Sequence, residues 1–298
     1  MPRGLAELQM ERVMIATDAF AGRRRAFREQ HAGGCFVMPN PWDAGTARYL
    51  ESLGFAALAT TSAGFGFSRG LPDSPSAMSR EMVLRHVAEI VEATGRPVNA
   101  DFQSGYGADA AGVAESVRLC VATGVAGLSI EDATGVAGRP LFELDEAVER
   151  VMAARRAIDA TGTGVVLSGR AECFLVGHPD PLRESIRRLE AYAAAGADVL
   201  FAPGVRERED IRAIVAAVRP RPVNVLMSAD TGLRVADLAE LGVRRISVGS
   251  ALARVAWGGL MRAAGLLARE GSFAGLEGAV PFAELNRLFD VSEITVRA

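Results

Sequence analysis

Pro97-Val98-Asn99-Ala100-Asp101-Phe102-Gln103-Ser104-Gly105-Tyr106-Gly107 reads as a short buried strand running straight into a glycine-punctuated loop. Asn99 and Asp101 lie two residues apart, so a strand projects both side chains to one side. A carboxylate and an amide at the end of a buried strand cost desolvation free energy unless something pairs with them. A cation, a substrate or a neighbouring arginine would each serve.

Working outward, the same apolar beat recurs at Cys35–Pro39, Ala56–Thr61, Ala126–Glu131, Val165–Ala171, Asp198–Ala202, Val223–Leu226 and Arg244–Val248. Helical stretches follow at Ala44–Ser52, Ser79–Ala93, Ala110–Ala122, Leu144–Ala160, Pro181–Ala195, Glu207–Val218, Arg234–Glu240 and Ser250–Arg269. Glycines such as Gly54, Gly124, Gly196 and Gly242 close helices just before the next strand, the punctuation of αβ units. Eight continuous apolar strands alternating with eight helices predict an α/β fold, a (β/α)8 TIM barrel. We read residues 1–298 as one domain, with the barrel at about 35–269, a leading amphipathic helix within 1–30, and a helical tail over 270–298. Pro281–Phe289 in that tail reads as a short helix capping the barrel or a partner subunit. A doubly wound sheet is the alternative. Its dinucleotide turn is missing, because Gly64–Gly70 has one residue too many and follows the second strand.

The 33 basic residues, all arginine, stand against 36 acidic ones, leaving a formal charge of −3 and no basic footprint for nucleic acid. The absence of lysine excludes Schiff-base chemistry. Three cysteines (Cys35, Cys120, Cys173), without zinc-type spacing, suit a reducing cytoplasm. No apolar run reaches membrane-spanning length, and the N-terminus lacks a signal-peptide core. The run Arg23-Arg24-Arg25 reads as a solvated helix face.

Barrel enzymes place their chemistry where strands end and βα loops begin. The polar residues there are Asn40, Asp43, Thr60 to Gly64, Asn99, Asp101, Glu131, Asp132, Arg170, Glu172, Asn224 and Ser250. Acid concentrates on strands three to five, and a few carboxylates with water suit Mg²⁺, with Mn²⁺ as a substitute. Asp101 and Glu131 form the expected metal pair. The same residues could equally form buried ion pairs with Arg170. Ser62-Ala63-Gly64 could present backbone N–H groups to an oxyanion, or be a plain tight turn. Ser250 reads as a helix N-cap and Cys173 as a packed small hydrophobe. His31 and His86 read as surface or packing residues, whereas His178 is a loop histidine that could reach a site.

From about Val37 to Phe289 the chain resembles the isocitrate lyase/phosphoenolpyruvate mutase superfamily. The matching pieces are Pro39-Asn40-Pro41-Trp42-Asp43-Ala44, Thr61-Ser62-Ala63-Gly64, Leu71-Pro72-Asp73, Asn99-Ala100-Asp101, Gly105-Tyr106-Gly107, Ile130-Glu131-Asp132, Gly169-Arg170-Ala171-Glu172 and Ala195-Gly196-Ala197-Asp198. The resemblance implies a Mg²⁺ site, a small 2-oxo or 2-hydroxy carboxylate and a pyruvate-type enolate. It also implies a homo-oligomer, dimer or tetramer, with the last barrel helix exchanged. By that resemblance Arg170, Asp73 and Tyr106 are expected catalytic residues. Asn40, Ser62, Ala63, Gly64, Arg170, Glu172 and Asn224 would bind substrate, and Asp101, Glu131 and Asn99 the metal. Asn99 stands where many members carry an aspartate. The loop Ala133–Pro140 lacks the Lys-Arg-Cys-Gly-His of the family's lyases and the lysine loop of its phosphonomutases. The expectation is therefore a lyase or decarboxylase of a small di- or tricarboxylate. A phosphonate C–P hydrolase or mutase and a non-catalytic carboxylate-binding barrel are the alternatives.

Overall fold

The computed structural model describes residues 19–74 and 76–290. Residues 1–18 of the expected leading helix and 291–298 of the tail lie outside them. Helix α1 is described over residues 19–30, followed by β1 (Phe36–Met38), α2 (Ala44–Ser52), β2 (Leu58–Ala59), α3 (Ser62–Ser68), α4 (Arg80–Ala93) and β3 (Val98–Asp101). Next come α5 (Ala110–Ala122), β4 (Gly127–Glu131), a hairpin of β5 (Ala133–Val136) and β6 (Arg139–Leu141), α6 (Leu144–Thr161) and β7 (Val166–Arg170). The chain continues through α7 (Pro181–Ala194), β8 (Val199–Phe201), α8 (Arg208–Ala217), β9 (Val223–Leu226), α9 (Val235–Glu240), β10 (Arg245–Ser247), α10 (Ala251–Glu270) and α11 (Phe282–Phe289).

Eight strands pair in parallel in the order β1-β10-β9-β8-β7-β4-β3-β2. The seam between β1 and β2 is bridged by Ala59 N–H to the Pro39 carbonyl (3.0 Å) and by the Asn40 amide to the Thr60 carbonyl (2.9 Å). The sheet thus curls into a nearly closed barrel with helices around it. Burial on both faces explains the unbroken apolar strands. One large apolar cluster, including Leu128, Ile130 and Leu167, packs between strands and helices. A small one, around Phe27 of α1, Met38, Val166 and Val199, is formed separately from it. Gly127 is required there, because a Cβ would come within 2.6 Å of both the Phe27 ring and Asn99 Oδ1.

The arginine run is only partly a solvated face. Arg25 is exposed, but Arg24 is buried and donates to the Val121 and Val125 carbonyls, while Arg23 donates to the Val91 carbonyl. Guanidinium groups satisfy carbonyls left open where helices end, and those of α4 and α5 end beside α1. Ser250 occupies the N-cap position of α10, yet its side chain makes no capping bond.

Candidate active site

The third, fourth and fifth barrel strands are neighbours in register: Asp101 opposes Ser129, and Glu131 opposes Arg170. Their ends therefore bring Asp101, Glu131 and Arg170 together at one rim. Arg170 Nη1 lies 3.1 Å from Asp101 Oδ1 and 3.1 Å from Glu131 Oε2, while its Nε donates to Glu172 Oε1. The guanidinium rests near the Phe201 ring, 5.3 Å from its centroid. Among the described residues no hydrogen bond leaves Nη2, so one edge of the fork remains open. Burial works to lower the pKa of Arg170, but Glu131, Glu172 and Asp101 outweigh it and raise it.

Burial pushes the Glu131 carboxyl well above its usual range; Arg170 opposes that, and Glu172, Asp101 and Asp73 add to it. Glu172 is raised for the same first reason, again against Arg170. Asp73, at the open mouth, is raised by desolvation and then by Asp101, with a Ser62 hydrogen bond acting the other way. Four carboxyls thus face one guanidinium.

Ser62-Ala63-Gly64 begins α3 rather than forming a free turn. Ser62 N–H donates to Asp101 Oδ2 at 2.8 Å, and Gly64 N–H to the capping Thr61 hydroxyl at 3.2 Å. Only the Ala63 N–H of the three is without a partner among the described residues. Gly64 also admits α10, since a Cβ would sit 3.3 Å from that of Ala253.

The other expected site residues make contacts of their own, and Tyr106 stays close enough to the rim acids to feel their charge. Asn40 spends its oxygen on Val248 and Gly249 N–H (3.0 and 2.9 Å), stitching the barrel seam. Asn224 is buried in the barrel, accepting from Arg245 and donating to Ser247. Tyr106 packs edge-on against Phe102, its hydroxyl buried and without a partner among the described residues. Burial first, then Asp101, Glu131 and Asp73, raise its pKa, so it stays a phenol. Asn99 donates to the Ala100 carbonyl at 3.2 Å, and its Oδ1 has no partner among the described residues. His86 stacks on Phe65 with ring centroids 3.9 Å apart, and the His178 ring accepts from Asp180 N–H. The buried Asp132, with Arg188 and Tyr192, and the Arg245–His31 contact carried no sequence signal beyond Asp132's place beside Glu131.

Among the described residues no three His, Cys, Asp or Glu side chains form a ready metal cage. Mg²⁺ takes one or two carboxylates and keeps several waters. The crowding of carboxyl oxygens around Arg170 fits such an ion at Asp101 and Glu131, with Asp73 close by, since a bound cation would favour the ionised forms that burial opposes. Asn99 fits it less well, since no contact joins its side chain to theirs.

A (β/α)8 barrel with acid-framed chemistry at the carboxyl ends of its strands is an enzyme architecture. A family described as Phosphoenolpyruvate phosphomutase matches residues 27–268. The chain belongs to the phosphoenolpyruvate mutase/isocitrate lyase superfamily. A solved structure from Burkholderia cenocepacia J2315, provisionally labelled lyase/mutase, is 47% identical, covering 92% of this chain and 97% of that one with TM-score 0.87. Oxaloacetate decarboxylase of Paraburkholderia xenovorans is 32% identical over 77% of this chain and 75% of its own. 2,3-dimethylmalate lyase of Eubacterium barkeri is 30% identical over 87% and 90%. These two named relatives are carbon–carbon lyases.

Proposed function

We propose that this chain is a divalent-metal-dependent lyase that cleaves or decarboxylates a small 2-oxo or 2-hydroxy di- or tricarboxylate through a pyruvate-type enolate. The observation that carries the reading is Arg170, fixed by three carboxylates yet with Nη2 unspent. A guanidinium edge so held is preorganised for a carboxylate or a developing oxyanion. The free Ala63 N–H supplies a second donor. Asp101 and Glu131 would hold Mg²⁺, which when bound supplies Lewis-acid polarisation of the 2-oxo oxygen. Arg170 orients the acid group, and the rim acids keep the guanidinium from rotating away.

Decarboxylation suits the short hairpin. The electrons of the breaking carbon–carbon bond pass into the enolate while CO₂ leaves unprotonated, so the missing loop cysteine is no obstacle to that step. Phosphonate chemistry fits less well, because the chain has no lysine and the hairpin lacks the lysine loop of the phosphonomutases. Oxaloacetate turnover followed with and without EDTA tests the proposal. We expect pyruvate and CO₂ only with metal present; no turnover across a panel of such acids, or turnover indifferent to EDTA, overturns it.

The same reading extends to assembly and location. Of the residues of α10 only Ala253 is buried, while Leu252, Val255, Trp257, Leu260 and Met261 are exposed. This supports a homo-oligomer in which the helix crosses to a neighbour, checked by light scattering. Among the described residues no helix is long and apolar enough to cross a membrane. With the free cysteines, that accords with a cytoplasmic enzyme.

A further inference from the structure

Asp132 has 2% exposure and all its acceptors are used. Oδ1 takes Glu172 N–H at 2.8 Å, and Oδ2 takes Arg188 Nη1 at 3.1 Å and the Tyr192 hydroxyl at 2.6 Å. Its own N–H donates to the Arg170 carbonyl at 3.3 Å, and its carbonyl accepts Phe142 N–H at 2.9 Å. Arg188 Nη1 also donates to the Phe142 carbonyl at 2.9 Å. Asp132 and Phe142 flank the β5–β6 hairpin, which begins at Ala133 and ends at Leu141. Both feet of the hairpin are therefore bolted to the residues that hold the backbone of Arg170 and Glu172. Outside these feet the hairpin is largely exposed.

We propose that Asp132 is a positioning residue: with Arg188 and Tyr192 it ties the β5–β6 hairpin to the Arg170–Glu172 pair, so that hairpin and guanidinium shift as one unit. A carboxylate accepting three hydrogen bonds in a dry site is a stiff joint, because losing any one leaves a buried polar group short of a partner. A movement of the hairpin on substrate entry would pass through Asp132 Oδ1 to Glu172 N–H, and from the Glu172 carboxylate to Arg170. The inference rests on the assignment of Arg170 as the substrate grip.

The test is Tyr192→Phe, which removes one O–H and keeps the ring. With oxaloacetate we expect a roughly tenfold fall in kcat/KM, the value of one hydrogen bond to a buried charge. In a Glu172→Gln background the same change should cost less than about twofold, because the path already lacks its carboxylate. Fully additive losses would mean a merely structural network and overturn the proposal. Hydrogen exchange gives a readout that needs no turnover. Tyr192→Phe should raise exchange in residues 133–142 and 170–176 together while α10 is unchanged. Faster exchange confined to α7 overturns the coupling. If the wild-type chain turns over no substrate, the functional reading fails and the exchange pattern still decides this one.

Discussion

Arg170 and Arg245 both reach into the barrel, from β7 and β10, and they keep opposite company. Arg170 sits among Asp101, Glu131 and Glu172. Arg245, with 1% exposure, has no carboxylate partner among the described residues. Its Nε donates to Asn224 Oδ1 at 2.9 Å, Nη2 to Ser168 Oγ at 2.8 Å, and Nη1 faces His31 Nε2 at 3.4 Å. Burial pushes its pKa down to about 9, so it keeps its charge at neutral pH. Each nitrogen of its fork has a neutral partner, whereas Arg170 has one nitrogen with none among the described residues. Arg170 is outnumbered by acid but keeps one edge open. An interior charge is tolerated when every nitrogen of the fork has a partner, and a rim charge becomes useful when one nitrogen does not.

Arg170→Met should break the contrast most severely. It strands three crowded carboxylates, so we expect kcat/KM to fall by about 10³. Urea unfolding should show a stability loss of about 3–5 kcal/mol, the usual cost of removing one partner from a buried pair. Next in size, Glu131→Gln should weaken Mg²⁺ binding by on the order of tenfold in calorimetry. An unchanged affinity would place the ion elsewhere.

Arg245→Met sharpens the other side. It removes an unpaired buried charge but leaves Asn224, Ser168 and His31 short of a donor, so a cost of about 1–3 kcal/mol is expected with kcat/KM within about threefold. A larger catalytic loss than that of Arg170→Met would reverse the comparison.

The smallest effect concerns His31. Burial, Arg245 and Arg28 push its pKa down to about 3 against the Phe27 carbonyl bond, so it is neutral in the fold. Its contribution is present above the unfolded value near 6.5 and is lost as pH falls through the folded one. His31→Gln should therefore reduce the stability lost between pH 6.5 and 4, by about 1–2 kcal/mol in urea titrations. The raised Glu131 and Glu172 run the other way: they favour the fold below the ordinary carboxylate range and lose that as pH rises through their folded values.

The barrel was legible because apolar runs of strand length alternate with helical ones. The alternation places Ala110–Ala122 and Val223–Leu226 at the bounds the structure gives them. Asp101, Glu131, Arg170 and Glu172 stood out because each is a polar residue closing an apolar run, and their meeting follows from strand register. Asn40 and Asn224 satisfy the same pattern but have different occupations, the barrel seam and the Arg245 network. Nothing local distinguishes an asparagine that binds substrate from one that binds backbone. Asp132 was missed as a joint because Arg188 and Tyr192 come from α7, far along the chain.

The amino-acid sequence alone therefore determined the αβ periodicity, the strand ends and the acid-rich composition of the rim, since these depend on residue type and spacing. Only the tertiary structure decided which polar groups are already satisfied. That accounting gave Arg170 its free edge, enclosed Arg245 in neutral partners and bolted the hairpin to Asp132. Desolvation and hydrogen-bond saturation depend on groups brought together from distant parts of the chain, and no local pattern encodes them.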